Sequence, residues 1–337
     1  TTGAGNDGLF GYDGNDSMDA GSGNNVLQGN AGNDTIAGGS GNDTIYGGQN
    51  SDVIATGAGA NFVNGNKGID SITGGSAADT LLGGQDADTI SGGGGSDFLN
   101  GNIGDDSITG GSAADTIYGE AGADAIVGGG GADVIDGGDG NDVITTATNA
   151  ATVAGGADSD IITLGAGGLA NGNAGVDSID GSAAVDTILG GADGDTIDGV
   201  GGADLLNGNG GNDNITGGAG ADTIFGEEGD DTISAGNGAN TVDGGIGDDN
   251  ITTGTGVDNV TGGDGDDTIV LGGGADTTAN TASGGTGNDT ITGDAGVDTI
   301  TGNDGDDSLT GGAASDVLNG GAGADTIVGG LGNDQMT

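Results

Sequence analysis

The chain has 337 residues, 89 of them glycine, and contains no cysteine, histidine, proline or tryptophan. Its 53 acidic residues stand against a single base, Lys67, for a formal net charge of −52. That balance excludes disulfides, metal sites built on imidazole or thiolate, and histidine-based catalysis, and one lysine cannot offset the phosphates of nucleic acid or of an anionic membrane.

From the amino terminus, Gly3-Ala4-Gly5-Asn6-Asp7 opens a nine-residue repeat that Gly38-Gly39-Ser40-Gly41-Asn42-Asp43-Thr44-Ile45-Tyr46 shows in full. Its form is G-G-x-G-x-D-x-U-x, with U a large aliphatic residue. Glycines allow a turn that other residues resist, and the three residues around U make a strand. The period therefore predicts an all-β chain wound as a metal-stapled parallel β-helix.

Numbered from the first glycine, the repeat has aspartate at position 6 and U at position 8. Position 6 is held by Asp7, Asp16, Asp34, Asp43, Asp52, Asp70, Asp79, Asp88, Asp97, Asp106, Asp115, Asp124, Asp133, Asp142 and Asp160 in the first part of the chain. It continues through Asp177, Asp186, Asp195, Asp204, Asp213, Asp222, Asp231, Asp249, Asp258, Asp267 and Asp276, and then Asp289, Asp298, Asp307, Asp316, Asp325 and Asp334. Asn25, Asn61, Asn240 and Ala151 depart from the pattern. Position 8 is Ile, Leu, Val or Met at every one of these points except Thr278. Asx-turns would explain single aspartates in glycine-rich loops, but not a strict period with an aliphatic residue locked to it. With carboxylate and carbonyl oxygens as the only strong ligands, the metal expected is calcium.

Leu27-Gln28-Gly29-Asn30, Val63-Asn64-Gly65-Asn66 and Leu99-Asn100-Gly101-Asn102 recur at 36 residues, so the unit of duplication is two coils. The register slips near 161–176, where Asp160 to Asp177 is 17 residues instead of 18, and near 277–288, where Asp276 to Asp289 is 13 instead of 9. Both read as kinks or bulges within one solenoid over 1–337, because the same unit resumes after each. The array closes in mid-repeat at Gly332-Asn333-Asp334-Gln335-Met336 without a polar cap, as expected of a segment of a larger protein or of copies that stack end to end.

If U points inward, its strand neighbours point outward. On one sheet these include Val26, Tyr46, Phe62, Leu82, Phe98, Tyr118 and Val134, resuming at Leu189, Leu205 and Phe225. On the other they are mostly small or polar, as at Thr35, Ala37, Ser71, Thr73, Thr89, Ser91, Ser107 and Thr109. An apolar ladder of that length suggests an interaction face; cross-strand pairing in an exposed sheet is the simpler account.

These repeats resemble the RTX family, the haemolysin-type calcium-binding repeats of proteins exported by bacteria, over essentially the whole chain. The resemblance implies a right-handed β-roll in which the first six residues form a turn, the last three a strand, and two nonapeptides one coil. It further implies calcium between successive turns, about one ion per complete turn, held by the position-6 carboxylates with turn carbonyls. The sites at Asn25, Asn61, Asn240 and Ala151 would then be weaker or empty.

One buried aliphatic side chain per nine ordered residues is scant burial, and the like charges repel, so the chain is expected to fold only as it binds calcium. That suits a secreted, extracellular or cell-surface structural protein, such as a surface layer, sheath, filament or adhesin. The alternative is the accessory folding and secretion repeat region of an exported toxin or enzyme. No run approaches the roughly 20 apolar residues of a membrane helix, and no membrane insertion is expected. Acid pairs such as Asp105-Asp106 and Asp230-Asp231 recur as variants of one turn rather than as a unique constellation, so no catalytic residue is assigned.

Overall fold

The computed structural model describes residues 3–272 and 276–337, which divide into two compact units, Thr1–Leu169 and Ala170–Thr337. Among the described residues there is no helix.

The first unit winds two parallel sheets. One contains Val26–Ala31, Thr44–Gln49, Phe62–Lys67, Thr80–Gln85, Phe98–Ile103, Thr116–Ala121 and Val134–Asp139. The other contains Thr35–Ser40, Val53–Ala58, Ser71–Thr73, Thr89–Gly93, Ser107–Gly111 and Ala125–Gly129. Successive strands of a sheet lie 18 residues apart, as Leu27 pairs with Ile45 and Ile45 with Val63, so one coil is two nonapeptides. Position 8 then stacks on itself. Leu27, Ile45, Val63, Leu81 and Leu99 line one sheet and Ile36, Ile54, Ile72, Ile90 and Ile108 the other, each at most 1% exposed. Every coil buries two aliphatic side chains between its sheets, and parallel backbone bonds hold coil to coil.

Strands of the first sheet run six residues rather than the three expected, because positions 1 to 3 continue the ladder. Thr44–Gln49, for example, alternates inward and outward through Gly47. The turn then reverses at position 4, where Gly41 has φ +117°, a conformation that strains any residue with a Cβ.

The second unit repeats this winding. Thr187–Ala192, Leu205–Gly210, Thr223–Glu228 and Thr241–Ile246 pair in parallel on one side, and Ser178–Asp180, Thr196–Asp198, Asn214–Thr216 and Thr232–Gly236 on the other.

The first register slip lies within 161–176, and the second falls earlier than the sequence suggested. In the first, Leu169 donates its N–H to the Ala151 carbonyl at 2.9 Å, just as Thr152 does to that of Asp133 at 2.8 Å. Gly168 therefore occupies position 6 and buried Ala170 position 8, and the missing residue lies between Asp160 and Gly168. In the second, Asp258 N–H donates to Asn280 Oδ1 and Asn280 N–H to Asp298 Oδ1. Asn280 is thus the position-6 residue, with Ala282 at position 8, 1% exposed. Asp276 is not in the series. Thr278 N–H and Oγ and Gly256 N–H all donate to its carboxylate. Burial pushes Asp276 up, but these hydrogen bonds outweigh it and leave the group below the usual carboxylate range. The four extra residues therefore lie between Asp267 and Asn280.

Candidate metal centre

The turns place each position-6 side chain inward, beside the core and between coils. Asp34 N–H donates to Asp52 Oδ1 at 2.8 Å, Asp52 N–H to Asp70 Oδ1 at 2.7 Å, and Asp70 N–H to Asp88 Oδ1 at 2.7 Å. One carboxylate oxygen is therefore committed to the preceding coil. The other is not. Oδ2 of Asp34, Asp43, Asp52, Asp70, Asp88 and Asp106 is buried without a hydrogen-bond partner, in side chains only 1–2% exposed. A buried acceptor left unanswered costs about 1–3 kcal/mol, more if charged, and here such an acceptor recurs coil after coil.

The electrostatics follow. Burial pushes Asp52 up to about 7; the backbone hydrogen bond from Asp34 opposes this, and the charges of Asp70 and Asp34 add to it. Asp88, Asp142, Asp195, Asp231 and Asp267 are pushed up to about 7 in the same way, and Asp70, Asp106, Asp249 and Asp289 to about 6. These groups lack a positive partner. The asparagine turns show what such a partner does. Asn25 Nδ2 donates to the Gly23 carbonyl at 2.9 Å, and Asn61 Nδ2 to the Gly59 carbonyl at 2.7 Å. An amide N–H there satisfies a turn carbonyl that a carboxylate oxygen can only repel.

Position 1 closes the arrangement. A Cβ on Gly38 would lie 2.6 Å from Asp43 Oδ2 and 2.6 Å from the Thr56 carbonyl oxygen of the next coil. The glycine keeps the gap between these two oxygens open. Among the described residues no group of three or more carboxylates comes together, so a cation between turns would draw most of its ligands from carbonyls. The available donors are oxygens, hard and without imidazole or thiolate, and they fit calcium. Filling the gap should be costly. Gly65→Val, which introduces a side chain against Asp70 Oδ2 and the Gly83 carbonyl, is expected to raise the calcium concentration for half-folding at least tenfold, followed by circular dichroism.

Not every predicted residue has a free oxygen. Gly75 N–H donates to Asp79 Oδ2 at 2.8 Å, Ser182 N–H and Oγ–H to Asp186 Oδ2 at 2.8 and 2.9 Å, and Asp294 N–H to Asp298 Oδ2 at 2.9 Å. Position 5 carries a second ladder that the motif, with its x there, conceals. Asn24 N–H donates to Asn6 Oδ1 and Asn42 N–H to Asn24 Oδ1, both at 2.9 Å. The recurrence of Asn6, Asn15, Asn24, Asn33 and Asn42 is the signal that would have found it.

The expected interaction face lies on the sheet of six-residue strands, but it is less open than the sequence implied. Val26, Phe98, Val134 and Leu205 are exposed, whereas Tyr46, Phe62, Leu82, Tyr118, Leu189 and Phe225 are half-buried among their neighbours. Tyr46 packs on Phe62 with centroids 6.0 Å apart and Phe98 on Tyr118 at 5.7 Å, as cross-strand pairs do. The other sheet is not free of large apolar groups, since Val53, Val127, Val143 and Ile161 stand exposed on it.

Coils stacked in 18-residue register, with carboxylate and carbonyl oxygens paired across their turns, define a calcium-binding β-helical repeat protein. The chain belongs to the family of RTX calcium-binding nonapeptide repeats, whose four-copy pattern matches residues 1–150 and 171–336 in overlapping stretches. No curated protein matches it significantly. Among solved structures it is similar to a hyperactive, Ca2+-dependent, β-helical antifreeze protein from an Antarctic bacterium, with 21% identity over 88% of this chain and 83% of that one and a TM-score of 0.39. A likeness of that degree says nothing about what this chain meets.

Proposed function

We propose that this chain is a calcium-triggered structural solenoid of a bacterial exterior, such as a surface layer, sheath, filament or adhesin. The position-6 aspartates with a free Oδ2, Asp34, Asp52, Asp70, Asp88 and their counterparts, hold calcium together with turn carbonyls. What carries the reading is the series of buried, unpartnered carboxylate oxygens in a chain with one lysine. Nothing in the protein can neutralise them, so the fold waits for a cation from outside. In a compartment poor in calcium such a chain stays extended and can be exported; in a calcium-rich medium it winds up. The ions supply charge compensation between coils, and the chain's own part is to aim oxygens, exclude water and keep position 1 small. The repeated turns present no unique cleft, and the role is non-catalytic.

Electron microscopy with and without calcium tests the structural role. Ordered sheets or fibres that dissolve in chelator are expected; dispersed single particles in calcium would refute assembly. The aromatic pairs give a handle on the surface used. Changing Tyr46, Phe62, Phe98 and Tyr118 together to Thr should abolish lateral association by light scattering while leaving the calcium midpoint of folding within about twofold, and association at the parent level would discard this face as the contact.

A further inference from the structure

The two edges of the solenoid are not equivalent. In the first unit, the turns that lead into Ser17–Asp19, Thr35–Ser40, Val53–Ala58 and the later strands of that sheet carry aspartate at every coil, from Asp16 at 18-residue steps to Asp160. In the second unit, the turns leading into the matching strands do the same from Asp177 to Asp325. Position 1 of every turn in both series is glycine, from Gly11 to Gly155 and from Gly172 to Gly320. The opposite edge of each unit is broken. All the departures fall there: Asn25, Asn61, Ala151 and Gly168 in the first unit, Asn240 and Asn280 in the second. So do Asp79, Asp186 and Asp298, whose Oδ2 is already satisfied within its own turn.

A second, independent regularity accompanies the first. At four of these six departures position 1 carries a buried side chain: Ala20 with Asn25, Thr56 with Asn61, Thr146 with Ala151, and Ala235 with Asn240. A Cβ at that position points at the space between Oδ2 and the carbonyl of the next coil. The asparagine turns have exchanged charge for side-chain hydrogen bonds, and all four have filled the gap with a side chain. At these four turns loss of the ligand and closure of the space go together, as expected if they carry no ion; Asp258, with buried Thr253 at position 1, keeps its aspartate in a closed turn.

We infer that calcium loads one edge of each unit as an unbroken series, while the other edge is held mainly by side-chain hydrogen bonds and takes calcium in runs of at most three consecutive coils, as at Asp97, Asp115 and Asp133. The inference rests on the reading that turn oxygens bind calcium and adds where they do so. On the unbroken edge each carboxylate bridges two coils, since its Oδ1 accepts the N–H of the preceding aspartate, so ordering one turn prepares the next. In a one-dimensional array such nearest-neighbour coupling makes loading cooperative along the edge. On the broken edge the backbone bonds run on through the asparagines, as Asp7 N–H to Asn25 Oδ1 and Asn25 N–H to Asp43 Oδ1 show, but the succession of calcium-binding turns stops at each of them.

Two matched double variants decide this. Asp88→Asn with Asp106→Asn removes two adjacent carboxylates from the unbroken edge, and Asp97→Asn with Asp115→Asn removes two from the other, with the same chemistry and burial. Folding by calcium is followed by circular dichroism, and bound calcium by equilibrium dialysis. The first pair is expected to raise the midpoint at least tenfold and flatten the transition, the second to shift it less than threefold. If the first pair cannot fold, repair of the broken edge answers the question. Ala20→Gly, Asn25→Asp, Thr56→Gly and Asn61→Asp together should increase the calcium bound per chain and steepen the transition. Equal shifts from the two pairs, or a repaired chain that binds no more calcium than its parent, overturn the inference. A parent chain that binds no calcium sinks the underlying reading as well.

Discussion

In excess chelator at pH 7.5 the chain is expected to give the circular dichroism of an unfolded polypeptide, and to gain a full β spectrum when calcium is added. The expectation follows from two facts of comparable weight. A formal charge of −52 on 337 residues makes any compact form repel itself, and the repulsion is concentrated where it is hardest to screen, in carboxylates stacked inside the turns. The core offers two aliphatic side chains per 18 residues, as Ile36 and Ile45 show, and cannot offset the ordering of so much glycine. The size change is large. An unfolded chain of this length has a radius of gyration of about 65 Å, and small-angle scattering should show it contracting on calcium addition. Magnesium, which demands tighter octahedral geometry and sheds water reluctantly, should not replace calcium at equal concentration. A β spectrum that survives chelation at neutral pH would mean that the aspartate turns close without a cation.

Acid should substitute in part for calcium. Burial pushes Asp52, Asp88, Asp142, Asp195, Asp231 and Asp267 up to about 7, whereas in the unfolded chain they titrate near 3.8. Between those limits the ion-free fold binds more protons than the unfolded chain, so its stability falls as pH rises. The contribution is present in full below about pH 4 and is lost as pH climbs through 6 to 7. A protonated carboxyl is also the right shape, for it offers the turn an O–H where Asn25 and Asn61 offer an N–H. In chelator, β structure is therefore expected to appear as pH is lowered toward 4. With calcium the dependence reverses. The ion competes with protons for the same oxygens, so apparent affinity should rise from pH 5 to pH 7.5, with protons released on binding. Calcium affinity that is flat across this window, measured in buffers of different ionisation heat, would show that these carboxylates are not the ligands.

Much of this was legible in the sequence because the period itself is physical. A core residue every nine, alternating with a turn, leaves one winding that brings like positions together, and Leu27, Ile45 and Val63 lie in that register. Where the repeat was read too literally it misled. Asp276-Thr277-Thr278 has the spacing of a repeat, yet Thr278 at position 8 would put a hydroxyl in the core. Its hydroxyl instead lies within hydrogen-bond distance of the Asp276 carboxylate, away from the core, and position 8 passes to Ala282 after Asn280. The exception at Thr278 was the visible sign. Gly168 and Ala170 escaped for the opposite reason, since neither matches its consensus, and the backbone bond from Leu169 to Ala151 and the burial of Ala170 show that the coil is kept. Exposure of the outward residues was beyond the pattern altogether. Whether Tyr46 is half-buried depends on Phe62 lying diagonally beside it, which alternation along one strand does not specify.

A crystal grown in calcium and measured for anomalous scattering tests the central claim most directly. Difference peaks are predicted between consecutive turns beside Oδ2 of Asp34, Asp52, Asp70 and Asp88, each with carbonyl oxygens completing the shell. Empty turns at those aspartates, with the carboxyls engaged by protein hydrogen bonds alone, would contradict the account.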